Sequence, residues 1–353
     1  MESVTTTMQD LAAPHSCGSQ VAVRPRVSVI IVTYCSGEEL PACIGSLQEQ
    51  SVPVEIFLVD NASPDDTGKI VSDYAAQYPN VRAILNQDNL GLAAGNNVPL
   101  GKCLGDYILI LNPDTLLRKD ALARMVEFLD QNSDVTVVGP KSVYPDGTPH
   151  SSFHRRWGIG HILLWRVLPF RFARSYYDKY SSYQFEDKLF VSGACLMIRR
   201  TTYELIGGYD PEYFLTVEDA CDVCIRARKA AGRVVFLPEA EVMHIGGRSG
   251  EHAPYLVVWG CYHGSFYHFL KHKGKLQALI VFVLLLVSSS LRSLIASVMA
   301  IFNPKYREIA HTYGKVSWNL LVRNPFRARE WGRTVSAFNS ASASARSAQG
   351  PSS

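Results

Sequence analysis

Apolar positions in this chain come in short runs separated by stretches of helical spacing. Val27-Ser28-Val29-Ile30-Ile31-Val32, Ile56-Phe57-Leu58-Val59, Val81 to Leu85 and Tyr107-Ile108-Leu109-Ile110-Leu111 are the first four runs. They are too short for helices and predict strands, the fourth buried on both faces of a sheet. Between them, Leu40, Cys43, Ile44 and Leu47 predict a helix over about 38–50. Ile70, Val71, Tyr74 and Tyr78 predict another behind the start signal Ser63-Pro64-Asp65-Asp66. Leu122, Met125, Val126 and Leu129 predict a third over about 119–131. Strands alternating with helices are the signature of an α/β chain with a doubly wound, mostly parallel sheet.

Polar residues gather where the strands end, at Thr33-Tyr34, Asp60-Asn61, Asn89 through Asn96, and Asp114. Open α/β sheets bind ligands beyond the carboxyl ends of their strands, so these ends predict one crevice. Taken alone, Asp114 is either a turn residue behind Pro113 or a metal or phosphate contact. The first strand is not followed by G-x-G-x-x-G, and G-x-x-x-x-G-K-[ST] is missing, which argues against a dinucleotide oxidoreductase and a P-loop enzyme.

The 353 residues suffice for one large domain with an appendage, and a formal net charge of +3 is too weak to suggest nucleic acid as a partner. Eight scattered cysteines, behind a start without signal-peptide character, predict a reduced, cytosolic setting. Cys221 and Cys224 form a lone C-x-x-C, half of a zinc site, and are expected as inert thiols.

Val-Ser-Val-Ile-Ile-Val-Thr-Tyr (27–34), Val-Asp-Asn-Ala-Ser (59–63), Asn-Leu-Gly-Leu-Ala-Ala-Gly-Asn-Asn (89–97), Leu-Asn-Pro-Asp (111–114) and Glu-Asp (218–219) occur in that order. Together they resemble the family 2 glycosyltransferases of the GT-A fold, nearest the rhamnosyltransferase-like branch, over roughly residues 26–250. The resemblance implies that Thr33, Tyr34 and Asp60 hold the nucleoside of a UDP- or dTDP-sugar donor, with Asn61, Asn89, Gly91 and Asn96 completing the pocket. It implies that Asp114 is the last acid of the family's D-x-D motif, with Asn112 in place of the first. A divalent cation, Mg²⁺ or Mn²⁺, would then be held by Asp114 with phosphate oxygens and water. His244 is the candidate second metal or diphosphate contact, and Arg248 could meet phosphate.

By the same resemblance Asp219 is the base that takes the acceptor hydroxyl's proton in an inverting transfer. The pattern departs from the family's here, because Glu218-Asp219-Ala220-Cys221-Asp222 carries one extra residue before the second Asp. On a helix Asp219 and Asp222 are three apart and Glu218 and Asp222 four apart, so Asp222 and Glu218 stay open as alternatives. Phe190 to Ile198 is expected as an acceptor-side loop entering a strand. Phe153 to Trp157 are read as an acceptor or diphosphate contact or as a solvated basic surface, and residues 161–183 as a lid or a membrane-facing loop.

Beyond residue 250 the character changes. Ala278 to Val287 is apolar but shorter than the roughly 20 residues of a spanning helix, and Ser288-Ser289-Ser290 and Arg292 interrupt it before a second apolar piece reaches Phe302. Lys271, Lys273 and Lys275 precede the run while Lys305 and Arg307 follow it, so both flanks are basic. This predicts an in-plane pair of helices or a shallow hairpin at the cytoplasmic face of a membrane, with a helix buried against the catalytic domain as the alternative. Aromatic and basic residues in Trp259 to His272 and Trp318 to Trp331 are expected at the lipid interface.

The expected division is a disordered tail over 1–25, a GT-A domain over 26–250, a membrane-associating helical region over 251–335 and a disordered tail over 336–353. The expected function is metal-dependent transfer of a sugar, rhamnose first, to a glycan acceptor carried on a lipid, in cell-surface polysaccharide synthesis. The alternatives are a non-catalytic nucleotide-sugar-binding protein at the membrane and a sugar nucleotidyltransferase.

Overall fold

The computed structural model describes residues 24–154, 158–163, 184–185, 190–216, 218–246 and 254–322. Residues 1–23 of the first expected tail, all of the second, Arg155 to Trp157, residues 164–183, Arg248 and Trp331 therefore lie outside the described residues. In chain order the elements are β1 (Val27–Thr33), α1 (Leu40–Gln48), β2 (Val54–Asp60), α2 (Thr67–Gln77), β3 (Val81–Leu85) and α3 (Gly91–Asn97). β4 (Tyr107–Leu111), β5 (Thr115–Leu117), α4 (Ala121–Gln131), β6 (Val135–Val143), β7 (Phe153–His154) and α5 (Ile159–Ile162) follow. Next come β8 (Gln184–Phe185), β9 (Phe190–Val191), β10 (Cys195–Arg199), α6 (Arg200–Leu205), α7 (Glu218–Ala231) and β11 (Arg233–His244). Three long helices close the described chain: α8 (Pro254–His272), α9 (Lys275–Phe302) and α10 (Tyr306–Val322).

The main sheet runs β3-β2-β1-β4-β10-β6-β11-β5. β1, β2, β3 and β4 are parallel, the last paired with β1 on the side opposite β2. Strand order therefore reverses between β1 and β4, which opens a crevice at their carboxyl ends. β10 lies antiparallel between β4 and β6, and β11 runs parallel to β6 before pairing antiparallel with β5.

Side chains of β1 alternate between two cores. Val27, Val29 and Ile31 pack with α1 and α4 residues such as Leu40, Ile44, Leu122 and Met125 on one face. Ile30 and Val32 pack on the other face in a cluster that also holds Val223 of α7, Trp259 and Phe266 of α8, Val281 of α9 and Val316 of α10. One hydrophobic core thus crosses the expected boundary near residue 250. Burying apolar area on both faces of a strand makes each interior β-branched residue worth roughly 1.5–3 kcal/mol.

Two expectations for the carboxyl-terminal part need correction. Helix α9 is continuous through Ser288, Ser289, Ser290 and Arg292. The serines do not break it because they hydrogen-bond locally and to neighbours: Ser289 Oγ donates to the Leu286 carbonyl at 3.1 Å, and Ser317 Oγ donates to Ser289 Oγ at 2.9 Å. The Arg292 guanidinium lies over the Tyr313 ring, 5.5 Å from its centroid. Second, the α8 aromatics face inward, with Trp259 only 2% exposed, because α8 is sandwiched between the catalytic core and α9.

Candidate active site

The crevice between β1 and β4 is lined by Thr33 at the end of β1 with Tyr34 and Ser36 after it, Asn61 after β2, Asn89, Gly91 and Leu92 around the start of α3, and Asn112, Pro113 and Asp114 after β4. Phe214 and Leu215, ahead of α7, and Leu256 of α8 close it from the other side. The cleft is open to solvent along one side.

Asp60 and Asn96 sit behind this lining. The Asp60 carboxylate accepts from Thr33 Oγ1 at 3.3 Å, from the Ser63 N–H at 3.1 Å and from Ser63 Oγ at 2.5 Å, so the turn that starts α2 uses it. Asn96 donates to the Leu92 carbonyl of its own helix at 3.0 Å. Its neighbour Gly95 explains the inward seat, since a Cβ there would come within 2.8 Å of Val32 Cγ1.

The Asn89 loop is tied to both walls. Asn89 Oδ1 accepts the Gly91 N–H at 2.9 Å, Asn61 Nδ2 donates to the Gly91 carbonyl at 3.0 Å, and the Leu92 N–H donates to the Phe214 carbonyl at 2.7 Å. Gly91 has φ +80°, and a Cβ there would lie 2.5 Å from the Phe214 oxygen. Only glycine joins the turn to the Phe214 wall at this distance.

Asp114 and His244 meet because β5 and β11 pair in a register that sets Thr115 opposite His244. His244 Nε2 lies 3.3 Å from Asp114 Oδ1, and the Gly246 N–H donates to Asp114 Oδ2 at 3.1 Å. Burial pushes the Asp114 carboxyl up, but the His244 hydrogen bond and charge, helped by the Gly246 N–H, outweigh it and leave it below its ordinary value. His150 packs edge-on against His244 with ring centroids 4.7 Å apart, and Tyr144 packs edge-on against His150 at 4.4 Å. Burial, followed by the neighbouring His244, lowers the His150 imidazole to about 4, so it stands neutral. Among the described residues no group of three His, Cys, Asp or Glu side chains is arranged as a metal cage.

The acids of α7 divide by direction. Glu218 accepts from Thr216 Oγ1 and Ser265 Oγ, and Asp222 accepts from Arg226 Nε, Lys271 Nζ and His272 Nε2, each at 2.7 Å. Both belong to the face toward α8, as four-residue spacing requires. Although burial would raise it, the His272 hydrogen bond, with the Arg226 and Lys271 charges and the Lys271 hydrogen bond, holds the Asp222 carboxyl well below the usual carboxylate range. Asp219 turns the other way, toward Gly193, where a Cβ would stand 3.9 Å from its Oδ1. It is 2% exposed, its Oδ1 accepts the Ala220 N–H, and its Oδ2 has no hydrogen-bond partner among the described residues. Burial, with the Glu218 and Asp222 charges adding to it and the Ala220 N–H opposing it, raises its carboxyl to about 8. One helix thus holds two carboxylates with opposite shifts. The Ala194 carbonyl beside Gly193 accepts the Asn112 N–H at 2.9 Å, so the Asp219 and Asp114 segments are neighbours.

The sequence profile of glycosyl transferase family 2 matches residues 28–207, which include every strand end around the cleft except that of β11. The chain belongs to glycosyl transferase family 2. This glycosyltransferase is 29% identical, over 292 residues, to an N-acetylglucosaminyl-diphospho-decaprenol L-rhamnosyltransferase of Mycobacterium tuberculosis, covering 75% of this chain and 94% of that protein. A poly(ribitol-phosphate) beta-glucosyltransferase of Bacillus spizizenii is 31% identical over 135 residues, 36% of this chain and 21% of that one. Its fold is similar to that of the mannosyltransferase PcManGT from Pyrobaculum calidifontis, solved with GDP-Man and Mn²⁺, with TM-score 0.50, 21% identity and coverage of 84% of this chain and 86% of that one. GalNAc-T7, solved with UDP, GalNAc and Mn²⁺, matches with TM-score 0.52 and 16% identity over 70% of this chain and 48% of its own.

Reading the sequence alone leaves out Phe214, Leu215 and Leu256, which wall the cleft of this glycosyltransferase, and His150. Their signals are weak: Phe214 and Leu215 follow a Gly-Gly-Tyr-Asp-Pro turn, Leu256 is one apolar residue in an apolar helix, and His150 lies in a turn-rich stretch. Each enters the site through contacts between segments far apart in the chain.

Proposed function

We propose that this glycosyltransferase moves a sugar, rhamnose first, from a UDP- or dTDP-linked donor to a glycan acceptor carried on a lipid, with inversion, in cell-wall polysaccharide synthesis. The observation that carries the reading is the convergence of Thr33, Tyr34, Asn61, Asn89, Gly91 and Asp114 on one cleft at the β1/β4 reversal. The activity for which the mycobacterial relative is named supports the sugar and the lipid carrier.

Thr33, Tyr34, Asn61 and Asn89 would hold the nucleoside, with the Gly91 backbone at close approach; Asp60 and Asn96 would shape that wall from behind. Asp114 and His244 would hold a divalent cation, Mg²⁺ or Mn²⁺, because one carboxylate and one imidazole suit such an ion when phosphate oxygens complete its shell. When bound, the cation neutralises charge on the leaving diphosphate. Mn²⁺ in the two solved structures of like fold is consistent with this choice. Asp219 would accept the proton of the acceptor hydroxyl as its oxygen bonds to the anomeric carbon, while the bond to the diphosphate breaks and its electron pair leaves with the nucleotide. The raised carboxyl and unpartnered Oδ2 of Asp219 support that role over Asp222 and Glu218.

The enzyme would work at the cytoplasmic face of a membrane, peripherally or monotopically. Its support is α9, long and apolar enough to cross a bilayer but packed on one side by α8 and α10. The outer side is uncovered, with Leu276 74% and Phe302 85% exposed. Basic residues at both ends of α9 favour an in-plane position.

A panel of nucleotide sugars with Mn²⁺, read by thermal shift and then by transfer, tests the function. A shift with one UDP- or dTDP-sugar and its transfer to a lipid-linked glycan are expected. Stabilisation by none of them overturns the reading.

A further inference from the structure

Leu256, on the cleft wall, is followed outward by a graded surface. Its neighbour Tyr255 is pinned from α10: the Lys315 ammonium stands 4.3 Å from the Tyr255 ring centroid, and Asn319 Nδ2 donates to Tyr255 Oη at 3.0 Å. A cation held over an aromatic face is fixed in place. Lys315, Trp318 and Val322 recur at three and seven residues and so share one face of α10. Trp318 is 65% exposed, and Leu321 and Val322 beside it are uncovered too. Helix α10 lies antiparallel along α9, as the Ser317 to Ser289 and Ser293 to Ala310 hydrogen bonds require. Val283 and Val287, exposed on the part of α9 that this register sets beside Trp318 and Val322, continue the apolar surface.

From the cleft outward the order is a wall for sugars, a fixed cation, an amphipathic indole and open apolar surface. A glycan on a phosphorylated long-chain lipid has the same order of chemistry: sugar, phosphate, hydrocarbon. We propose that α8 and α10 form the acceptor entrance, where Lys315 receives the phosphate of a polyprenyl-phosphate-linked glycan and Trp318, Val322 and the outer face of α9 receive its hydrocarbon chain. The inference rests on the glycosyltransferase reading of the cleft. It adds where the acceptor's phosphate and lipid are held, outside the stretch matched to the family. Lys315 here is a binding residue and takes no part in bond making.

The test is binding of the full chain to three vesicle types: phosphatidylcholine with decaprenyl phosphate, with decaprenol, and with phosphatidylglycerol at matched surface charge. The wild type is expected to prefer decaprenyl phosphate over both others. Lys315→Met should lose about ten-fold toward decaprenyl phosphate, as expected for one charge-assisted contact, and leave decaprenol binding unchanged. Lys315→Arg should keep the preference, and Trp318→Ser should weaken binding to all three. Equal binding to decaprenyl phosphate and phosphatidylglycerol, or an equal loss on all three for Lys315→Met, overturns the proposal. Thermal shifts with nucleotide sugars on the same proteins separate the two readings. An absent shift in the wild type strikes the donor cleft, whereas a normal shift with no lipid preference strikes the entrance.

Discussion

His244 Nε2 lies 3.3 Å from Asp114 Oδ1. The two are brought together by the strand register that sets Thr115 against His244, so the pair is built by backbone pairing before either side chain contributes. Asp114→Asn and His244→Ala should each lower Mn²⁺ affinity by about ten-fold or more, on the scale of lost metal-site contacts. Electron paramagnetic resonance titration of free Mn²⁺ measures this without turnover. Unchanged affinity in both variants would remove the cation from this pair.

Asp219→Asn should cut turnover by about 10²–10⁴-fold, the contribution of a positioned base, and leave the donor-induced thermal shift intact. In the wild type kcat/KM should rise with pH through about 8, because the base acts only when deprotonated and burial holds its proton to that value. A transfer rate flat from about pH 6 to about pH 9 would argue for another base.

The same shift has a sign for stability. Between an unfolded value of about 3.9 and the folded value of about 8, the native chain keeps a proton on Asp219 that the unfolded chain releases. Stability from this group is therefore full at low pH and lost as pH rises through that window. Denaturant titrations at several pH values should show Asp219→Asn losing this slope relative to the wild type.

Asp222 runs the opposite way. Its carboxyl is lowered by His272, Arg226 and Lys271, so its contribution is present above the unfolded value of about 3.9 and fades as pH falls below it. Asp222→Ala takes a buried carboxylate away from the partly exposed Arg226 and Lys271 and from His272, and should cost about 1–3 kcal/mol. Guanidinium unfolding near neutral pH checks the figure, and a loss below about 1 kcal/mol would mean an exposed, weak cluster.

Two glycines should respond with opposite signs. Gly91→Ala drives a Cβ to 2.5 Å from the Phe214 oxygen at φ +80° and should destabilise by about 1–3 kcal/mol or more. Gly45, inside α1, has open space where an alanine methyl would stand, with nothing within 4 Å, so Gly45→Ala should stabilise by about 0.5–1 kcal/mol. Chemical denaturation of both variants decides.

The parts legible in the sequence are those set by local pattern. The first four strands and the helices between them follow from runs and spacing within a few residues, as Val81–Leu85 shows with bounds equal to those expected. The switch-point cleft follows because its lining sits at strand ends. What the sequence does not disclose depends on pairing across the chain. β6 escapes a pattern reading because Gly139-Pro140-Lys141 obscures its alternation. The inward turn of Asp60 depends on Ser63 capturing it, and His150 reaches His244 only once β11 is placed. The serines of α9 look like a break in the apolar run, yet Ser289 is satisfied by α10 and by its own backbone and Ser288 meets Tyr262 of α8.

The glycines of α8 set where this protein can be cut. A Cβ on Gly260 would lie 2.5 Å from the Leu215 oxygen, and one on Gly264 would lie 2.6 Å from Thr216 Cγ2. The helix after residue 250 is therefore seated directly on the loop between Phe214 and Asp219. Removing the tail to obtain a soluble enzyme would unseat that loop, and exchanging tails between relatives would carry acceptor-side geometry along with the address. A portable unit of this transferase should therefore include α8 through α10, well past residue 207, where the match to the family profile stops.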